Sequence, residues 1–135
     1  MPKTLKWTLN VAVLDGPKIS ASDTVTIEAY DKVEVVVAAG AAAEDVQLQP
    51  GGAGQVQFLL IRSDNYAAGL SYSINAAEAD AQKRIKLDAL QLLIGEGAVG
   101  LLGKPPNTLF FYNETNKDAS TQILVGRKAT TPPAP

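Results

Sequence analysis

The chain has no histidine and no cysteine in 135 residues. Lacking histidine, it has no side chain whose ordinary pKa suits proton transfer near neutral pH. Lacking cysteine, it has no disulfide, no thiolate nucleophile and no Cys-type zinc site. Aromatic residues make up only 6% of it, and Trp7, Tyr66, Tyr72 and Tyr112 are scattered. Such scattered rings in a β protein belong to core or interface more often than to a sugar-binding platform. Twelve basic residues face fourteen acidic ones, a formal charge of −2. That balance offers no general attraction to nucleic acid or an anionic membrane. No apolar run reaches the roughly 18–20 residues of a membrane-spanning helix. Residues 1–14 are strand-like and interrupted by Lys6 and Asn10, unlike the apolar centre of a secretory signal, so synthesis in the cytoplasm is expected.

What is present specifies a β protein. Hydrophobic residues reach 46% against 19% charged, which excludes a disordered chain, and the length suits one domain. Leu5, Trp7, Leu9, Val11 and Val13 alternate with Lys6, Thr8, Asn10 and Ala12, so a strand with one buried face is expected before the Asp15-Gly16-Pro17 break. Val25 and Ile27 carry a second strand. Asp31-Lys32 reads as a tight turn into a third, which carries Val33, Val35 and Val37. A short strand is expected over 45–49. Residues 58–61 are apolar without alternation, as in a strand covered on both faces. Leu70, Tyr72 and Ile74 resume the period of two. After the Pro105-Pro106-Asn107 turn come strands over 109–112 and 122–125. Turn signals about every ten residues point to a sandwich or barrel. We therefore expect one all-β sandwich of about eight strands over residues 1–128. The tail, residues 129–135, is proline-rich and extended.

Residues 76–94 admit two readings. Asn75 could cap a helix with Glu78 in the capping-box position and an Asp80–Arg84 pair one turn on. The preferred reading is a loop or short helix followed by a strand over 85–94. The core is expected to include Trp7, Val11, Val35, Phe58, Leu60, Ile74, Leu92, Phe111 and Val125.

The candidate chemical motifs weaken on inspection. Gly95-Glu96-Gly97-Ala98-Val99-Gly100 matches G-x-G-x-x-G, but Pro105 and Pro106 leave no room for the helix that would hold a pyrophosphate. Bulges or close strand packing explain these glycines better. Gly103-Lys104 lacks the rest of a phosphate loop. Asp64, Glu96 and Glu114 near turns form no recognisable acid–base pair. Asn113-Glu114-Thr115 is a glycosylation sequon by chance. Lys83, Arg84 and Lys86 form a basic cluster without interleaved aromatics, more often a solvated face than a nucleic-acid site and equally open to contact with an acidic protein surface. No catalytic, cofactor-binding or metal-ligating residue emerges, so an enzyme is not expected.

Several segments together resemble small tailed-phage virion proteins of the decoration or cement type. They are Phe58-Leu59-Leu60-Ile61-Arg62-Ser63, the stretch Leu92-Leu93-Ile94-Gly95-Glu96-Gly97-Ala98-Val99-Gly100-Leu101-Leu102, Leu109-Phe110-Phe111-Tyr112-Asn113 and Ile123-Leu124-Val125-Gly126-Arg127. The resemblance covers about the carboxy-terminal half. It implies a jelly-roll or related sandwich, often trimeric, that binds the major capsid protein and reinforces the shell of a virion made in the host cytoplasm. It implies no catalytic residues and no cofactor. Lys83, Arg84, Lys86, Pro132 and Pro133 are the expected partner contacts. The apolar runs over 58–61 and 109–112 favour a homo-oligomer, a trimer first. A tail or baseplate component, or a carbohydrate-binding sandwich, is the alternative.

Overall fold

The computed structural model describes residues 3–48, 56–103 and 106–127. The chain starts as a long antiparallel hairpin, β1 (Lys3–Ala12) against β2 (Lys18–Ile27), paired from Lys3↔Ile27 to Ala12↔Lys18. Its turn closes through Val13 N donating to Pro17 O (2.9 Å) and Gly16 N donating to Val13 O (2.8 Å). Asp15 stands there at φ +60°, a left-handed conformation that a short polar side chain tolerates.

Eight further strands follow: β3 (Ala29–Val37), β4 (Glu44–Gln47), β5 (Val56–Ser63), β6 (Leu70–Ile74), β7 (Ile85–Lys86), β8 (Gln91–Ile94), β9 (Thr108–Asn113) and β10 (Ala119–Arg127). They form two antiparallel sheets, β3-β10-β5-β8 and β4-β9-β6-β7. The pairing is nested: β3 with β10, β4 with β9, β5 with β8 and β6 with β7. A single long hairpin wrapped round the core gives this order, which is that of a jelly roll. The expected all-β sandwich is the fold observed.

The two inner faces make the core. Leu59, Ile61, Ile123 and Val125 from one sheet meet Leu70, Tyr72, Leu109 and Phe111 from the other, each at most 1% exposed. Tyr72 and Phe111 rings lie 5.7 Å apart, tilted. The buried Tyr72 hydroxyl donates to Gln91 Oε1 (2.6 Å), and Gln91 Nε2 donates in turn to Lys86 O (2.7 Å). Burial pushes the Tyr72 phenol pKa up.

Several local expectations need correction. Asp31 and Lys32 are no turn; they lie inside β3, and the break between β2 and β3 falls at Glu28. Residues 76–84 are a loop with one 3-10 turn, Ala81–Lys83. The strand expected over 85–94 is split: β7 pairs with β6 in one sheet and β8 with β5 in the other. Leu87, fully buried, marks the crossing. Asn75 caps no helix: at φ +65° it turns the chain, and its Oδ1 accepts from Asn107 N and Thr108 N. A single helical turn, α1 (Glu96–Val99), opens inside the glycine motif, far shorter than the pyrophosphate-binding helix for which the two prolines leave no room. A 3-10 turn, Gly100–Leu102, follows it and ends at Gly103, φ +82°, before the prolines are reached. Gly95 at φ +94° favours glycine, whereas a Cβ at Gly97 or Gly100 would meet open space, so close strand packing does not explain them. Among the described residues no helix is long and apolar enough to cross a membrane.

Candidate interaction surfaces

The amino-terminal hairpin is the most unusual surface. Alternation places Leu5, Trp7, Leu9 and Val11 on one face of the ribbon, opposite Val25, Asp23, Ala21 and Ile19. The other face carries Lys6, Thr8 and Asn10 opposite Thr24, Ser22 and Ser20, with Ser20 Oγ donating to Asn10 Oδ1 (2.8 Å). Only the foot of the apolar face is covered. Ile27 is buried, and Leu5, Trp7 and Val25 are half-buried. The foot rests on the outer face of the β3-β10-β5-β8 sheet at Gly126, where a Cβ would stand 3.2 Å from Ile27 Cγ2 and 3.4 Å from Leu5 Cδ1.

Beyond the foot the ribbon projects. Exposure is 52% at Val11, 60% at Val13, 68% at Ile19 and 94% at Leu14. The buried face expected for this strand is therefore uncovered over its outer half, and Val11 is not in the core. A two-stranded ribbon is marginally stable on its own. A strip of exposed aliphatic side chains on such a ribbon is a candidate contact surface. The alternation that gives this strip was visible in the sequence; its lack of cover was not.

The basic cluster is divided by the fold. The Arg84 side chain is only 9% exposed. Its guanidinium carbon lies 3.6 Å from the centroid of the Tyr112 ring. Nε donates to Glu78 O (2.7 Å), Nη2 to Ala79 O (3.2 Å), and Nη1 pairs with Glu114 Oε1 at 3.3 Å. Arg84 pairs with Glu114, not with Asp80, whose carboxylate caps the 3-10 turn by accepting from Gln82 N. Lys83 and Lys86 are exposed but face different hollows. Lys83 lines one of about 260 Å³ beside Ile74, Ile85 and Leu101. Arg84 and Lys86 line another of about 480 Å³ with Ser71, Gln82 and Glu114. Pro132 and Pro133, with the rest of the tail, lie outside the described residues.

The apolar runs are largely covered within the chain. Phe58, opposite Gly126 in the register, is 4% exposed, and Tyr112, under Arg84, is 5% exposed. The sequon is also consumed internally. Asn113 is fully buried; its Nδ2 donates to Val37 O (2.9 Å) and Lys117 O (2.8 Å), and its Oδ1 accepts from Thr115 N (3.0 Å) and Thr115 Oγ1 (2.6 Å). Among the described residues no group of three or more acidic side chains could hold a metal ion.

Comparison with known proteins finds no matching family model, no matching curated protein and no matching solved structure.

Proposed function

We propose that this chain is a structural virion accessory protein that binds major capsid subunits and reinforces a phage shell, gripping its neighbours through the hairpin. The observation that carries the reading is the projecting ribbon with one bare aliphatic face. Burying even two or three such side chains contributes ~1.5–3 kcal/mol each before ordering costs. A jelly roll with a protruding arm suits a protein whose task is contact, although the fold alone is compatible with many tasks. Lys83 and Lys86, exposed on the flank, add salt-sensitive attraction to an acidic shell. Arg84 serves by holding the loop that carries Lys83. Self-association is part of the proposal.

Mass spectrometry of purified particles tests it, with the chain expected in many copies per particle. Replacing Val11 by Lys and Ile19 by Glu, which stand opposite each other in the ribbon, should leave the melting temperature within about 2 °C, because both positions are exposed and the new charges attract, and should strip the chain from the particles. Recovery of the chain only in the particle-free fraction would end the capsid reading.

A further inference from the structure

The strand at the edge of the larger face has a second property. Among the described residues β3 is hydrogen-bonded on one side only, to β10. The other three edge strands of the sandwich, β8, β4 and β7, have four, four and two residues, whereas β3 has nine. Short strands are the usual protection against edge pairing, and β3 lacks it. Its solvent side reads Tyr30, Lys32, Glu34, Val36. Tyr30 is 52% and Val36 54% exposed, and the Lys32 and Glu34 side chains 61% and 62%.

This pattern is self-complementary when reversed. We infer that two copies of this chain join β3 to β3, antiparallel, about a two-fold axis at Val33. In that register each Lys32 lies opposite Glu34 of the second copy, and each Tyr30 opposite its Val36. Opposite charges and aromatic–β-branched pairs are the favourable cross-strand neighbours of an antiparallel sheet. Sliding the axis to Lys32 sets lysine against lysine, and sliding it to Glu34 sets glutamate against glutamate. Charge thus selects one register, and the backbone groups left open along β3 find partners, as in other strand additions. The result is one continuous eight-stranded sheet spanning two sandwiches. A two-fold contact closes on two copies; the apolar runs from which a trimer is expected are largely covered within the chain. The inference is independent of what the hairpin grips.

One added strand buries less than a standard interface, so association in the micromolar range is expected. Sedimentation of the full chain across that range should show a monomer–dimer equilibrium. Lys32→Glu alone and Glu34→Lys alone should each weaken it tenfold or more. The double variant K32E/E34K should restore it to within about threefold, because the swap rebuilds both pairs. Since the chain has no cysteine, Val33→Cys provides a second measurement: mild oxidation should give a covalent dimer, the axis bringing both copies of that position together. A parent chain that stays monomeric or sediments as a trimer would overturn the inference. So would single and double variants that associate equally, or a Val33→Cys chain that does not cross-link while dimeric.

Discussion

Arg84 lies over Tyr112, its guanidinium carbon 3.6 Å from the ring centroid, and closes the 75–84 loop over the outer face of the β4-β9-β6-β7 sheet through its bonds to Glu78 O and Ala79 O. The same loop buries Ser73, whose hydroxyl donates to Ala76 O (2.7 Å), and receives the Tyr112 hydroxyl as acceptor from Glu78 N (2.8 Å). One cation thus joins a cross-strand aromatic to two loop carbonyls.

Replacing Arg84 by alanine removes the stack and leaves the Glu78 and Ala79 carbonyls without their donor. A loss of about 2–4 kcal/mol is expected in denaturant unfolding. Arg84→Lys should recover little, since an ammonium cannot stack and bridge both carbonyls at once. Hydrogen exchange at residues 75–84 should accelerate in both variants, ahead of the rest of the sandwich.

Asn113 offers two donors to two backbone carbonyls, and Asn113→Asp turns both contacts into acceptor against acceptor. Because the site is fully buried, the cost should be about 3 kcal/mol or more, read from the urea midpoint. The same burial closes the sequon. Expression through a secretory pathway should give an intact mass without glycan at Asn113, and a glycosylated folded chain would contradict the burial.

Gly126 leaves room for the hairpin foot. Gly126→Val would drive Ile27 and Leu5 off the sheet and should destabilise by about 1–3 kcal/mol. Gly126→Ala should cost less, because the nearest atoms are ends of aliphatic side chains, Ile27 Cγ2 at 3.2 Å and Cδ1 at 3.3 Å. Limited proteolysis should cut the hairpin of the valine variant first if the foot is what holds it.

Tyr72 links stability to alkaline pH. Its phenol is raised by burial, so the folded state favours the protonated form. The stability this contributes is complete below the ordinary tyrosine value of about 10 and declines as pH rises above it. Thermal scans from pH 8 to 11 should therefore show the melting temperature falling above about pH 10. In Tyr72→Phe the fall should be shallower, from a lower starting point, since Gln91 Oε1 loses its donor at a cost of about 1 kcal/mol.

Period-two alternation marked β1, β3, β6 and the end of β2, and turn residues separated most of the strands. The sequence was misleading where local chemistry had two uses. Asp31-Lys32 has turn-like residues, yet both are accommodated on an edge strand, with Lys32 in an ion pair to Glu34 at 3.4 Å. Lys83, Arg84 and Lys86 are adjacent along the chain, but the loop turns Arg84 inward and sends the two lysines to separate hollows. Val11, on the projecting part of the hairpin, was read as core and is exposed.

By itself the sequence determined which side chains share a face, because extended backbone alternates its Cβ atoms whatever surrounds it. It also determined that the chain would fold as β, through its supply of β-branched and apolar residues. Whether a face is covered was decided only in three dimensions, since cover comes from residues remote in the chain. Leu5 and Ile27 sit against Gly126, and Arg84 sits on Tyr112, while nothing among the described residues reaches Val11 or Ile19 closely enough to bury them. The nested strand order was likewise tertiary, because it depends on which distant strands exchange hydrogen bonds.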